Sequence, residues 1–250
     1  CSVESAGRLN PGAQVVLHSN TWTEKAIAHL PPNVQLQRFD LPRLFHGTPL
    51  QAWFRQAARW KKGFPLNNLS NGIRLVLLWR YGGTYLDTDM VVVKNLARSL
   101  YRNAVGVEAD EGELEKILHM EGNYGLNINT AAFVNFQARN AFIELLMHRF
   151  VEEFAGDVWG WNGPGLLTRT WKDWNNDHEV SGDSHVQILS KNALYPIKWH
   201  ELSHLFDPIQ KHKDIVELVS GKSLAVHLWQ SLLSSHLPFS KEDSVLSMLM

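Results

Sequence analysis

The chain reads as an α/β fold, a central, mostly parallel sheet flanked by helices, on three observations. Short apolar strands alternate with helical stretches through its first third. A helical run then ends on the pair Gly82-Gly83 and passes directly into the extended segment Thr84-Tyr85-Leu86. That segment closes on Asp87-Thr88-Asp89, and the apolar run Met90-Val91-Val92-Val93 follows. Ligands of such sheets bind beyond the carboxyl ends of strands, which is where the two aspartates fall.

The elements follow in order. Val15-Val16-Leu17 is a short buried strand. Residues 24–30 form a helix stopped by Pro31-Pro32, and residues 34–39 alternate as a strand. Helices are expected over 41–45 and 50–60. Ser70 can cap a helix whose apolar positions Ile73, Val76, Leu77 and Tyr81 recur at helical spacing, with Gly82 just past its end. A strand and turn over 84–89 and an extended 91–93 come next. Residues 131–136 read as a further strand, and the helix after it buries Phe142, Leu145, Leu146, Phe150 and Phe154. No internal repeat, low-complexity tract or linker interrupts the chain, so residues 1–250 are expected to form a single domain.

Composition excludes several classes. A formal net charge of −1 leaves no polybasic footprint for nucleic acid or an anionic membrane. No apolar run approaches the roughly 18–20 residues that span a bilayer. Cys1 is the only cysteine, so no internal disulfide can form. The chain opens on Cys1-Ser2-Val3-Glu4-Ser5 without an initiator Met and reads as an excised catalytic region. Ten tryptophans are many for 250 residues, and packing accounts for them more simply than ligand stacking.

Asp87 and Asp89 carry the chemistry. Side chains at i and i+2 of an extended segment point the same way, so both carboxylates are expected to face one small volume. Two carboxylates so crowded repel unless a cation offsets them. Oxygen ligands of this kind suit Mg²⁺ or Mn²⁺, which keep positions open for phosphate oxygens. A diphosphate-bearing substrate is the natural third party.

With these blocks in view, the chain resembles glycosyltransferase family 32, in its α-1,4-glycosyltransferase branch. The resemblance is carried by Cys1-Ser2-Val3-Glu4-Ser5-Ala6, Pro32-Asn33-Val34-Gln35, Thr48-Pro49-Leu50 and the stretch 69–89. Lys94-Asn95-Leu96, Trp159-Gly160-Trp161-Asn162-Gly163-Pro164, Tyr195-Pro196-Ile197-Lys198-Trp199 and Ala225-Val226-His227-Leu228-Trp229 continue it in order. The resemblance implies a GT-A type nucleotide-sugar-binding fold. It also implies transfer of a hexose or N-acetylhexosamine from a nucleoside diphosphate, usually UDP, with retention of configuration. Mn²⁺ or Mg²⁺ is the implied cofactor and a glycan or glycolipid the implied acceptor. The implied setting is the Golgi lumen, with a membrane anchor outside this region. Relatives carry a strand immediately before the Cys1 block, so the sheet is expected to lack its first strand.

The same resemblance assigns residues. Asp89 is the direct metal ligand. Asp87 binds ribose or sugar hydroxyls, or reaches the metal through water. Arg74 and Asn71 stand where relatives have Asp-X-X-Arg holding the donor sugar and diphosphate; Asn71 replaces the aspartate and brings no charge. Tyr85 forms a wall of the nucleotide site, with core packing as the alternative. Gly82 and Gly83 cap a helix and enter a strand, and Gly83 also allows close backbone approach to the donor. Asn127, Asn129 and Thr130 precede the strand lining the sugar site, and Asn129 is the choice among them. Gly163 and Pro164 form a rigid turn on the donor–acceptor side. His227, in isolation a core histidine, becomes a third metal ligand in family context. Asn68-Leu69-Ser70 is a glycosylation sequon that abuts this machinery.

Two rival readings stand beside this one. Asp87-Thr88-Asp89-Met90-Val91 also fits a HAD-type phosphohydrolase with Asp87 as nucleophile, but that chemistry also needs a later lysine and a paired acidic motif on a helix, and no convincing Asp-Asp or Glu-Asp pair of that kind follows. A non-catalytic sugar-nucleotide or glycan-binding module could keep the fold, but its Asp-X-Asp and Arg74 would have no reason to remain intact.

Overall fold

The structure is a computed structural model that describes residues 2–108, 128–176, 185–233 and 243–249; Cys1 and Asn127 lie outside these. The elements open with α1 (Ser2–Leu9), β1 (Val15–His18), α2 (Glu24–Ile27), β2 (Val34–Gln37), α3 (Leu41–Phe45), α4 (Gln51–Arg55) and α5 (Ala57–Trp60). Then come α6 (Pro65–Tyr81), β3 (Gly83–Leu86), β4 (Met90–Val92), β5 (Ala104–Val107), β6 (Ile128–Phe136) and α7 (Ala141–Glu152). A π-turn over Trp161–Gly165 leads into α8 (Leu166–Asn176), followed by β7 (Gln187–Leu189) and α9 (Lys191–Leu194). The described part closes with α10 (Lys213–Gly221), β8 (Ala225–His227), α11 (Gln230–Leu233) and α12 (Val245–Leu249).

Two compact units are built from interleaved segments. Unit 1 comprises Cys1–Phe39, Leu86–Leu100 and Leu189–Met250; unit 2 comprises Asp40–Tyr85 and Tyr101–Ile188. In unit 1, β1 and β2 pair in parallel from Val15↔Val34 to His18↔Gln37. Strand β4 pairs antiparallel with β8, Met90 opposite His227 and Val92 opposite Ala225. All three residues of β4 are buried, and alternate side chains serve two clusters. Val92 packs with Ala6 and Leu96, and Val91 with Ile197, Leu205, Val226 and Val245. A strand buried on both faces has no polar positions, which is why Met90-Val91-Val92 reads as an unbroken apolar run.

Unit 2 holds a four-stranded sheet in the order β3-β6-β5-β7. Strands β5 and β6 are antiparallel, with a register shift between Val105 and Gly106. The core around them gathers Val76 and Leu78 from α6, Phe142, Leu146 and Phe150 from α7, and Leu166 and Trp171 from α8. Trp53 is fully buried there, edge-on to Phe150 at 4.9 Å. The packing role expected of the tryptophans holds for Trp53, Trp79 and Trp171, whereas Trp159 is 69% exposed.

Several expectations are refined. Among the described residues the strands lie in three separate sheets, and the pairing is parallel at β1–β2 and antiparallel at β4–β8 and β5–β6, so strand direction across the α/β fold is mixed. The helix over 50–60 breaks at Gln56, whose ψ of 67° is not helical. Helix α6 starts at Pro65 rather than after Ser70. Proline's fixed φ suits the first helical position, and its missing N–H costs nothing there. Asp87 to Asp89 is a turn closed by Met90 N–H to the Asp87 carbonyl (3.1 Å), not an extended segment. The two carboxylates therefore do not share a direction through strand periodicity.

Candidate functional site

Helix α6 delivers the chain to the acidic turn through Gly82. Its φ of +67° belongs to the left-handed region, and its N–H caps Leu78 at 2.8 Å. A Cβ at this position would lie 2.6 Å from Ala138 N and 2.8 Å from the Phe136 carbonyl, so only glycine fits.

In unit 1, Asp89 and His227 come together. Asp89 precedes β4 and His227 ends β8, and the register that pairs Met90 with His227 sets them side by side. His227 Nε2 stands 3.2 Å from Asp89 Oδ2. The Asp89 carbonyl accepts Leu228 N–H at 2.9 Å, and Oδ2 accepts Gln230 N–H at 3.1 Å. Burial pushes the Asp89 carboxyl up, but the hydrogen bond and charge of His227, with the Gln230 N–H, outweigh it and leave it below its ordinary value. His227 is 7% exposed, and its Nδ1 has no hydrogen-bond partner among the described residues.

This pair fits a divalent cation. Adjacent ligands on an octahedral ion with bonds of about 2.1 Å sit roughly 3 Å apart, close to the 3.2 Å between Nε2 and Oδ2. A carboxylate and an imidazole leave the remaining positions to water and phosphate oxygens. Among the described residues no group of three His, Cys, Asp or Glu gathers as a metal set, so Asp87 does not close a triad with Asp89 and His227. Asp87 is half-buried in the turn.

In unit 2, a small recess is lined by Asn71, Arg74, Thr130, Asn162 and Gly163 over an apolar floor that includes Phe133 and Leu166. Arg74 is 6% exposed. Its Nη1 donates to the Thr130 carbonyl at 2.6 Å and its Nη2 to Ser70 Oγ at 3.4 Å. The guanidinium lies 5.2 Å from the centre of the Tyr85 ring, so Tyr85 braces Arg74 while also packing on the core. Gly163 faces Asn71 so closely that a Cβ would come within 3.0 Å of the amide. Asn129 donates to Glu108 Oε1 at 2.5 Å and accepts Ala131 N–H at 2.7 Å. Thr130, its neighbour, lines the recess instead. Pro164 sits in the π-turn beside Gly163, and Gly83 has a φ of +86° with open space where a Cβ would point.

Sequence reasoning missed the support of this recess. Asn68 Nδ2 lies within hydrogen-bond distance of the carbonyls of Trp60, Lys62 and Gly156, at 3.0–3.2 Å. Its Oδ1 accepts Asn162 Nδ2 at 3.1 Å, and Asn162 is also bonded twice to the Ala155 backbone. This buried amide pair ties the start of α6 to the turn carrying Gly163. Asn68 is 3% exposed, so the folded chain has no room for a glycan on the sequon.

Comparison with known proteins gives the family of the chain. Residues 1–109 match a family described as a glycosyltransferase sugar-binding region containing a DXD motif. Residues 135–250 match the alpha 1,4-glycosyltransferase conserved region. The lactosylceramide 4-alpha-galactosyltransferase of Pongo pygmaeus is 36% identical over 79% of this chain and 83% of its own. The rat enzyme of that name is 34% identical over 92% of this chain and 62% of its own. The human alpha-1,4-N-acetylglucosaminyltransferase is 25% identical over 93% of this chain and 66% of its own. The chain thus spans about three-fifths of the rat relative's length. Among solved structures, the PaToxG glycosyltransferase is similar with a TM-score of 0.50 at 16% identity, over 68% of this chain and 61% of that one.

The fold is accordingly an α/β glycosyltransferase fold of GT-A type. The chain belongs to the α-1,4-glycosyltransferase family, whose sugar-binding DXD region holds Asp87 and Asp89. These findings do not favour the phosphohydrolase or the non-catalytic module.

Proposed function

We propose that the chain is a metal-assisted, retaining glycosyltransferase. It moves a hexose or N-acetylhexosamine from a nucleoside-diphosphate sugar, UDP-sugar first, to a hydroxyl of a glycan or glycolipid. The observation that carries this reading is the Asp89–His227 pair, 3.2 Å apart, which joins the Asp-X-Asp segment to β8 and is held by the Gln230 N–H, in a chain of the α-1,4-glycosyltransferase family. When bound, Mn²⁺ or Mg²⁺ supplies Lewis-acid stabilisation of the diphosphate leaving group. Asp89 stays ionised at neutral pH because its carboxyl lies below its ordinary value, and His227 offers an imidazole nitrogen beside it. Asp87 takes ribose or sugar hydroxyls. Arg74, oriented by the Thr130 carbonyl, carries a fixed positive charge for the diphosphate and sugar. The Asn71 amide donates to and accepts from sugar hydroxyls, and Gly163 and Pro164 shape the wall beside it. The same reading sets the reaction in the Golgi lumen.

Calorimetry with UDP and Mn²⁺ tests the metal assignment. Asp89→Asn is expected to abolish Mn²⁺-dependent UDP binding while the circular-dichroism spectrum stays unchanged. Equal UDP affinity in both proteins at saturating Mn²⁺ overturns it. Nucleotide release from UDP-galactose, UDP-N-acetylglucosamine, UDP-glucose and GDP-mannose then identifies the donor.

A further inference from the structure

Trp229 has a φ of +50°. The left-handed region is disfavoured for any bulky side chain, and no glycine or asparagine relieves it here. Such an outlier persists only where its surroundings hold it in place. Those surroundings are defined. The indole Nε1 donates to the Ile197 carbonyl at 3.1 Å. Its ring lies 4.2 Å from the imidazole of His227, tilted by 58°, and Tyr195 meets the same imidazole edge-on at 5.8 Å.

The unusual backbone has a local result. Leu228 N–H bonds the Asp89 carbonyl at 2.9 Å, and Gln230 N–H bonds the Asp89 carboxylate at 3.1 Å. In an extended chain those two amides would be roughly 7 Å apart along the strand, too far to grip one residue. The left-handed step at Trp229 ends β8 and curls the chain, so that both amides close on Asp89. The same side chain packs on His227, the other half of the pair.

We propose that Trp229 is a positioning residue: its left-handed backbone aims the Gln230 N–H at Asp89 while its anchored indole fixes the His227 ring, setting both groups for a divalent cation. This rests on the metal-binding reading above. It differs from a packing role in one respect. A packing residue is replaced worst by glycine, whereas a residue needed for its backbone turn is replaced better by glycine than by alanine, because glycine enters the left-handed region freely.

The test compares Trp229→Ala, Trp229→Gly and Trp229→Phe with wild type and Asp89→Asn. Mn²⁺ affinity in the presence of UDP is read from the paramagnetic resonance of free Mn²⁺. Exchange of the Gln230 amide is read in the metal-free protein. Trp229→Ala is expected to weaken Mn²⁺ binding about tenfold, the scale of losing an outer support of a metal ligand, and to speed Gln230 exchange. Trp229→Gly is expected to keep Gln230 protected and to bind Mn²⁺ more tightly than the alanine variant. Trp229→Phe keeps a ring for folding but loses the bond to Ile197, and is expected to fall between alanine and wild type. Glycine no better than alanine, or all three variants matching wild type, overturns the positioning role alone, provided wild type binds Mn²⁺ and Asp89→Asn does not. Wild type that ignores Mn²⁺, or Asp89→Asn that binds it equally, overturns the metal reading and this inference with it.

Discussion

Arg74 shows how one residue's role is divided between its sequence and its surroundings. Its position before the acidic turn was readable as a donor contact, and the structure buries it at 6% exposure on the Thr130 carbonyl and the Tyr85 ring. A backbone carbonyl leaves no mark in a sequence, so Thr130 could not have been chosen over Asn129 beforehand. Asn68 was hidden for a different reason. The sequence marks it only as part of a sequon, whereas its amide is committed to three carbonyls and to Asn162. At this scale the expected outcome concerns Arg74. Arg74→Ala should lower kcat/KM by more than about tenfold, equivalent to about 1.4 kcal/mol of transition-state stabilisation. Arg74→Lys should recover little, because a point charge cannot reproduce the planar fork that bonds Thr130. Steady-state kinetics with the identified donor checks both, and a fully active lysine variant would show that charge alone matters.

Among the elements, α7 and α8 are joined by a cluster centred on Glu153, just past the end of α7. Arg149 Nε donates to Glu153 Oε1 at 2.6 Å and Arg169 Nη2 to Oε2 at 2.9 Å. Arg169 also lies 3.9 Å from the Trp161 ring centre, and Trp161 Nε1 donates to the Glu153 carbonyl at 2.8 Å. The cluster therefore steadies the π-turn that carries Gly163. Burial raises the Glu153 carboxyl, but its bonds to Arg149 and Arg169 outweigh burial and leave it below its ordinary 4.5. The sign follows from linkage: the unfolded chain takes up this proton first on acidification. The contribution is complete above pH 4.5 and is lost as pH falls through the lower folded value. Glu153→Gln should flatten the acid limb of stability in urea melts below that pH and leave it parallel to wild type above. An unchanged acid limb would show that solvent screens the cluster. Arg149 is a local i,i+4 partner of Glu153, but Arg169 comes from α8 with no periodic signal, whereas α6 and α7 were visible because each carries an apolar face at helical spacing. The start of α6 was misplaced because Ser70 is a good cap by type, while Pro65 supplied a competing start five residues earlier.

Across the whole molecule, each unit is assembled from segments distant in sequence, with β4 meeting β8 and α1 meeting β4. Ligands that bind only the folded state stabilise it by mass action, by about 2.7 kcal/mol at a hundredfold excess over Kd. UDP and Mn²⁺ together should therefore raise the melting temperature of wild type, and neither alone should match the pair. The Asp89→Asn protein should show no such synergy in differential scanning fluorimetry, and an equal shift there would separate stabilisation from the acidic turn. The sequence by itself determined the α/β class and the family, and it nominated Asp89, Arg74 and His227 as candidates for the site. These rest on local periodicity and on side-chain chemistry in short blocks, which a linear reading contains. Tertiary structure alone decided the mixed strand pairing, the turn that separates Asp87 from Asp89, the carbonyl under Arg74 and the strained Trp229 that closes the chain on Asp89. Each of these depends on backbone direction and on partners far away in the chain, and neither is written in the type of any one residue.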